Sequence, residues 1–130
     1  MTLWLLGLSL ALLAVGGISM DLWRVATQRR VLSAAVDAAA AAGAGVLDLE
    51  HLRTSEELQL EPAGAEARAR QTMAMLAPAG LTAYAATASL TSVSVVAEGE
   101  VAISLLRLVL PDAEPVIVRV EAVAAPRASP

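Results

Sequence analysis

Residues 3–43 read LWLLGLSLALLAVGGISMDLWRVATQRRVLSAAVDAAAAAG, and this stretch decides the fold. Thr2–Met20 carries no charged side chain, and Trp4 and Trp23 frame it. The nineteen helical steps from Trp4 to Trp23 rise about 29 Å at 1.5 Å per residue. That distance is close to the ~30 Å hydrocarbon thickness of a bilayer, and Trp favours both of its interfaces. A cleaved secretory signal would have a basic start, a shorter apolar run and a small-residue cleavage site. Here only Met1 and Thr2 precede the run, and bulky or charged Met20-Asp21-Leu22-Trp23-Arg24 ends it. A buried soluble helix is rarely apolar on every face for this length. The stretch therefore reads as a retained membrane helix.

The helix does not stop at the membrane exit. Between Asp21 and Ala44 there is no Pro, and Gly43 is the only Gly. Ala34–Ala42 is rich in strong helix formers. One helix from about Leu3 to Gly43, on the order of 60 Å long, is expected. Leu22, Val25, Leu32, Val36 and Ala39 fall on one stripe of its projecting half. Asp21 and Arg24 are i,i+3 neighbours, placed to form an exposed pair that sets the membrane-exit position. Gly16-Gly17 reads equally as a close helix contact, a bend or two tolerated glycines. Gly43-Ala44-Gly45 ends the helix, because Gly enters the left-handed stop conformation without strain.

Composition narrows the rest. The chain has 130 residues, a net charge of −4, no Cys and no Phe. All its basic residues are Arg, and 57% of residues are hydrophobic. The acidic balance argues against a nucleic-acid partner held through phosphates. The lack of Cys removes disulfides, thiolate catalysis and Cys-based zinc sites. Both Trp lie at the apolar stretch, leaving Tyr84 as the only other aromatic residue. Residues 46–130 must build a core from aliphatic side chains alone, and a domain of that size is marginal. It is expected to be thin and to lean on its own helix or on partner subunits.

Residues 46–62 are acidic and read as an irregular, solvated loop, with a short capped turn at Thr54-Ser55 and a short strand at Leu58–Leu60. Pro62 opens a second helix running to about Ala77, since its missing N–H would have no partner there. Ala65, Ala69, Met73 and Leu76 form its buried stripe, and Glu66 and Arg70 an i,i+4 pair. Leu90–Ala97 reads as a strand, Glu98-Gly99-Glu100 as a turn, and Val101–Ser104 as the start of a second strand. Leu105–Leu110 either continues that strand or forms a helical turn. Val116–Ala124 alternates, with Val116, Val118, Val120 and Ala122 facing inward and Arg119 and Glu121 outward. The fold class is α+β: one long N-terminal helix, membrane-spanning in its first half, packed on a small antiparallel sheet with a second short helix. Residues 1–45 form the spanning and projecting helix, and residues 46–130 a small domain.

Several separated features of the first 45 residues occur in register. The apolar span runs into Asp21-Leu22-x-Arg24, then Gln28-Arg29-Arg30-x-Leu32, then Ala34-Ala35-x-Asp37-Ala38-Ala39-Ala40-x-Ala42-Gly43. This segment resembles the N-terminal region of the TadE/TadG-like proteins of the tight-adherence, or Flp-type, pilus system. Over residues 46–130 the likeness is one of general style, a short helix followed by Val-rich strands. The resemblance implies a pilin-like fold and a minor pilin or pseudopilin of a pilus-assembly or secretion machine. It implies a single pass through the cell membrane, an extracytoplasmic C-terminal domain, and no enzymatic activity. The implied partners are membrane lipid and other pilin-like or pilus-assembly subunits, without nucleic acid, cofactor or small-molecule substrate. Trp4, Asp21, Trp23, Arg24, Arg29, Arg30, Asp37, Ala38 and Ala39 are the candidates for membrane-junction and helix-packing roles. The Ala34–Ala42 face would admit neighbouring helices, as small residues do.

Two features depart from the pattern. Prepilin-type proteins carry a basic leader and a processing site after Gly, whereas the apolar run here begins at Thr2. The expectation is either an unprocessed chain or a start upstream of Met1. Arg24, Arg29 and Arg30 all follow the span, which by the positive-inside rule alone would put residues 24–130 in the cytoplasm. The family pattern implies the opposite side, and it is the reading adopted. His51, the only His, reads as a surface-loop residue beside Glu50. No G-x-S-x-G elbow or phosphate-binding glycine loop occurs in the sequence. The rival reading is a single-pass membrane-anchored binding module of the cell envelope, with the sheet as its capture surface.

Overall fold

A computed structural model describes residues 2–105, 107 and 110–127. Helix α1 spans Thr2–Ala44 without a break. Its first half, to Met20, is exposed except at half-buried Gly17, while Leu32, Ala35, Val36, Ala39, Ala40, Gly43 and Ala44 are buried. The buried stripe differs from the expected one at the end nearer the apolar half. Leu22 is exposed and Asp21 takes the inward position, followed by half-buried Val25 and Gln28 and then Leu32. Positions 21, 25, 28 and 32 follow the three-to-four-residue helical repeat, and residue 22 lies about 100° off that line. A polar residue thus holds a place that a hydrophobic pattern assigns to its neighbour.

The helix ends at Ala44, among the glycines as expected, but not through a left-handed glycine, since neither Gly43 nor Gly45 has a positive φ. Instead Gly45 N–H and Val46 N–H bond back to the carbonyls of Ala42 and Gly43. The acidic segment is not irregular. Helix α2 spans Leu49–Ser55, and the Asp48 side chain accepts hydrogen bonds from the N–H groups of Glu50 and His51, both at 3.0 Å. Asp is a strong N-cap, and that single local signal is what the loop reading passed over. The expected strand at Leu58–Leu60 reduces to one bridge between Leu60 and Leu47, with Leu60 fully buried. Helix α3, Pro62–Leu76, starts at its Pro as expected. Ala65, Ala69 and Met73 are buried, whereas Leu76 is exposed in the last turn, just before the left-handed cap at Ala77.

Strands β1 (Leu81–Ala88), β2 (Val93–Val101) and β3 (Val116–Ala124) form an antiparallel meander in the order β1-β2-β3. Here the first hairpin differs from expectation. Glu98-Gly99-Glu100 is strand, not turn, and pairs across to Arg119, Val118 and Ile117. The turn lies at Ser89–Ser92, where Ser89 N–H bonds the Ser92 carbonyl at 2.8 Å and the Ser89 hydroxyl accepts from the N–H groups of Thr91 and Ser92. Gly99 has a packing reason: a Cβ there would lie 3.2 Å from both the Gly80 carbonyl oxygen and Leu32 Cδ2. Its bare backbone lets α1 and the α3–β1 connection close on the sheet. Strand β1 escapes a propensity reading because Ala is depleted in strands, and LTAYAATA is half Ala. Residues 102–104 are not strand, and the expected continuation over Leu105–Leu110 falls partly outside the described residues. Strand β3 matches the expected span and alternation.

The core joins the second half of α1, α3 and the inner sheet face into one cluster. It is thin and close-packed because alanines line it: Ala35, Ala39, Ala40, Ala65, Ala69 and Ala97. At the α1–α3 crossing a Cβ on Gly43 would meet the Ala65 carbonyl oxygen at 2.9 Å. The Glu66–Arg70 pair has a second task. Glu66 Oε1 accepts the Ala88 N–H at 3.1 Å, and Arg70 Nη2 donates to the Ala86 carbonyl at 3.3 Å. The helix pair thereby occupies polar backbone groups of edge strand β1, which would otherwise offer a template to another chain.

Because α1 supplies the helical wall of the core, a cut at residue 45 removes Leu32, Val36, Ala39 and Ala40 from it. Residues 46–130 expressed alone should give no cooperative thermal transition by circular dichroism, while the full chain in detergent should give one. Ala39 is fully buried and Ala38 exposed. Ala39→Leu should therefore destabilise the full chain by about 1–3 kcal/mol through overpacking. Ala38→Leu should change stability by no more than about 0.5 kcal/mol. Denaturant unfolding in micelles reads both.

Candidate functional site

The best-built polar arrangement lies where the apolar half of α1 meets the folded half. Asp21 is only 4% exposed. It is not part of an exposed surface pair: its Oδ2 accepts the backbone N–H of Leu105 at 2.9 Å, across 84 residues of sequence. A carboxylate accepting a backbone N–H is a charge-assisted hydrogen bond, stronger than a neutral one. One turn earlier on the same face, Leu105 rests on Gly17, with its Cβ 3.5 Å from where a Gly17 Cβ would stand. One turn later, Arg24 Nη1 donates to Ser104 Oγ at 3.3 Å. Gln28, the next inward residue, donates from Nε2 to the Ala79 carbonyl.

Four successive turns of α1 therefore hold two connections. Gly17, Asp21 and Arg24 hold the β2–β3 connection at Ser104-Leu105, and Gln28 holds the α3–β1 connection at Ala79. Gly80 is in the left-handed region, with φ 76°. A side chain there would meet the Glu100 carbonyl oxygen at 2.7 Å and Gln28 Nε2 at 3.0 Å, so the glycine serves both backbone conformation and close approach. An open cleft of about 400 Å³ lies above this seam, lined by Trp23, Arg24, Gln28, Gly80 and Glu100 among others.

The candidate residues are placed unevenly. Asp21, Trp23 and Arg24 come together at the seam. Trp4 lies exposed at the far end of the apolar half. Arg29 and Arg30 are exposed and make no hydrogen bond or ion pair to another described residue. Asp37 is exposed at the other end of the domain, in a cleft shared with Ala41, Val123 and Arg127. Ala38 is exposed, but Ala39 faces this chain's own core and is not on an outward helix-packing surface. Ser104, Leu105, Gln28 and Gly80 belong to the seam and were not among the candidates. Gly17 carried a signal as half of the Gly16-Gly17 pair. Leu105 carried none beyond an apolar run between turns.

His51 lies in α2, half-buried, rather than in a surface loop; its Nε2 is buried and lacks a hydrogen-bond partner among the described residues. No group of three His, Cys, Asp or Glu side chains converges among the described residues. No family model, curated protein or solved structure matches this chain.

The Asp21–Leu105 bond makes a direct prediction. Asp21→Ala leaves a partly buried N–H without its acceptor, a loss of about 1–3 kcal/mol. Amide hydrogen exchange at Leu105 should accelerate on the order of tenfold or more in that variant. Asp21→Asn, which keeps an acceptor oxygen, should stay near the parent rate. Equal exchange in the parent and Asp21→Ala would remove Asp21 from this role.

Proposed function

We propose that this protein is a minor pilin or pseudopilin-like component of a Tad/Flp-type pilus-assembly or secretion machine, anchored by one pass through the cell membrane, with its sheet domain on the extracytoplasmic side. The observation that carries the reading is the continuity of α1. A single helix long and apolar enough to cross a membrane leaves its first half uncovered by the protein and packs its second half on an antiparallel sheet. An uncovered helix with apolar side chains on every face needs lipid or other helices around it. The in-register likeness of residues 3–45 to the TadE/TadG-like segment adds the system in which such a helix acts.

On this reading the subunit waits in the bilayer until neighbouring helices pack against it. Trp4 and Trp23 fix its depth at the two interfaces. The outward face of the projecting helix, with exposed Ala34, Ala38 and Ala41, admits a neighbour closely. Arg29 and Arg30 remain available for acidic groups on partners or lipid.

Two measurements in the source cells test this. A C-terminal tag on a membrane-fractionating chain should be digested by protease added to intact cells; protection until lysis would put the domain in the cytoplasm and end the assignment. The double variant Ala34→Leu/Ala38→Leu alters exposed positions only. It should fold and reach the membrane yet fail to enter the pilus or its assembly complex. Normal assembly of that variant would leave the sheet as the working surface and favour the binding-module alternative.

A further inference from the structure

At Leu105 the β2–β3 connection meets α1 beyond the point where the uncharged run begins. Gly17, against which Leu105 packs, is four residues inside that run from Asp21. It is six residues from Trp23, about 9 Å along the helix axis on the apolar side. An indole at Trp23 held at headgroup level puts Leu105 level with the upper acyl chains. Leu105 is 37% exposed and Leu110, further along the same connection, 56% exposed. Leu105, packed at Gly17, is thus a large aliphatic side chain only partly covered by protein at that level, and Leu110 is a second exposed one on the same connection.

We propose that the β2–β3 connection at Ser104-Leu105 is a second membrane-contacting element, set into the lipid interface beside the span and held there by Asp21. This rests on the membrane reading of α1 given above. Continuity decides the occupant: Leu105 adjoins the same face of α1 that lipid would cover at Gly17. The polar groups are arranged to suit that depth. A backbone N–H lowered toward hydrocarbon needs an internal acceptor, and the Asp21 carboxylate supplies one to Leu105. A carboxylate at this level is costly unless hydrogen-bonded, which accounts for an acidic residue on the inward stripe. Arg24, one turn further out and bonded to Ser104, and exposed Arg107, which donates to the Ala113 carbonyl, carry long stems with charged ends that reach headgroups. The sheet domain would then rest on the bilayer through two contacts, which limits its tilt about the anchor.

The chain has no Cys, so single-Cys variants label cleanly. The full chain would be reconstituted in phosphatidylcholine vesicles carrying a nitroxide either near the headgroup or deep in the acyl chain. An environment-sensitive fluorophore would be placed at Leu105→Cys, Leu110→Cys, Leu10→Cys within the span, and Ile117→Cys on the outer sheet face. Circular dichroism checks that each variant folds, and Leu110, being more exposed, backs up Leu105. The expected result is blue-shifted emission at residues 105 and 110, quenched more by the shallow nitroxide than the deep one, with residue 117 unquenched. Adding Asp21→Ala should weaken the quenching at residue 110 and leave that at residue 10 unchanged. Quenching at residue 10 with residues 105 and 110 behaving like 117 would overturn the inference and leave the anchor standing. No quenching at residue 10 would overturn both.

Discussion

The packing of small residues on the second half of α1 against the sheet and α3 is the constraint on which the rest depends. With no Phe in the chain and both Trp outside the core, no large ring fills space between layers. The layers must therefore approach closely. Ala35, Ala39 and Ala40 on α1, Ala65 and Ala69 on α3, and Gly99 in β2 are what allow this. The same close approach brings α1 near enough for Gln28 and Asp21 to reach backbone groups of two connections. A bulkier seam would hold those side chains away from their partners.

That arrangement makes α1 one body with two surroundings. Its folded half is amphipathic in the ordinary sense, with one face on the core. Its apolar half presents the same chemistry on every side. At the junction between them the inward stripe turns polar: Asp21 faces inward there, and Gln28 follows two turns later. The chain returns 84 residues after Asp21 to meet it. In the proposed pilin-like role, this seam transmits load between anchor and sheet: a rigid helix, tied at several turns, moves the domain with it.

The sheet is asymmetric at its edges in a way that matters for assembly. Edge strand β1 is occupied by Glu66 and Arg70 from α3. Edge strand β3 carries exposed Ile117 and Val123 on its outer face, balanced by Arg119 paired to Glu98 and Glu121 bonded to Ser94. Alternating charge on that face keeps a Val-rich strand compatible with water. Surface ion pairs of this kind add little stability, and their effect is on what the strand can pair with.

Periodicity and punctuation alone determined the long helix, its end at the glycines, the start of α3 at Pro62 and the alternation of β3. Each is marked by local chemistry: unbroken helix formers, glycines that interrupt them, a missing N–H, a period of two. Tertiary structure decided the rest. Gly99 reads as a turn until Leu32 and Gly80 are seen to need its missing side chain. The Ala-rich β1 becomes strand because β2 offers it a ladder and Arg70 and Glu66 of α3 bond its backbone at Ala86 and Ala88, which no propensity records. Asp21 reads as a surface charge because its partner is the N–H of Leu105, and a backbone donor 84 residues away leaves no mark in the local pattern. Local signals specify elements; only the folded chain specifies which groups those elements bring within a hydrogen bond of each other.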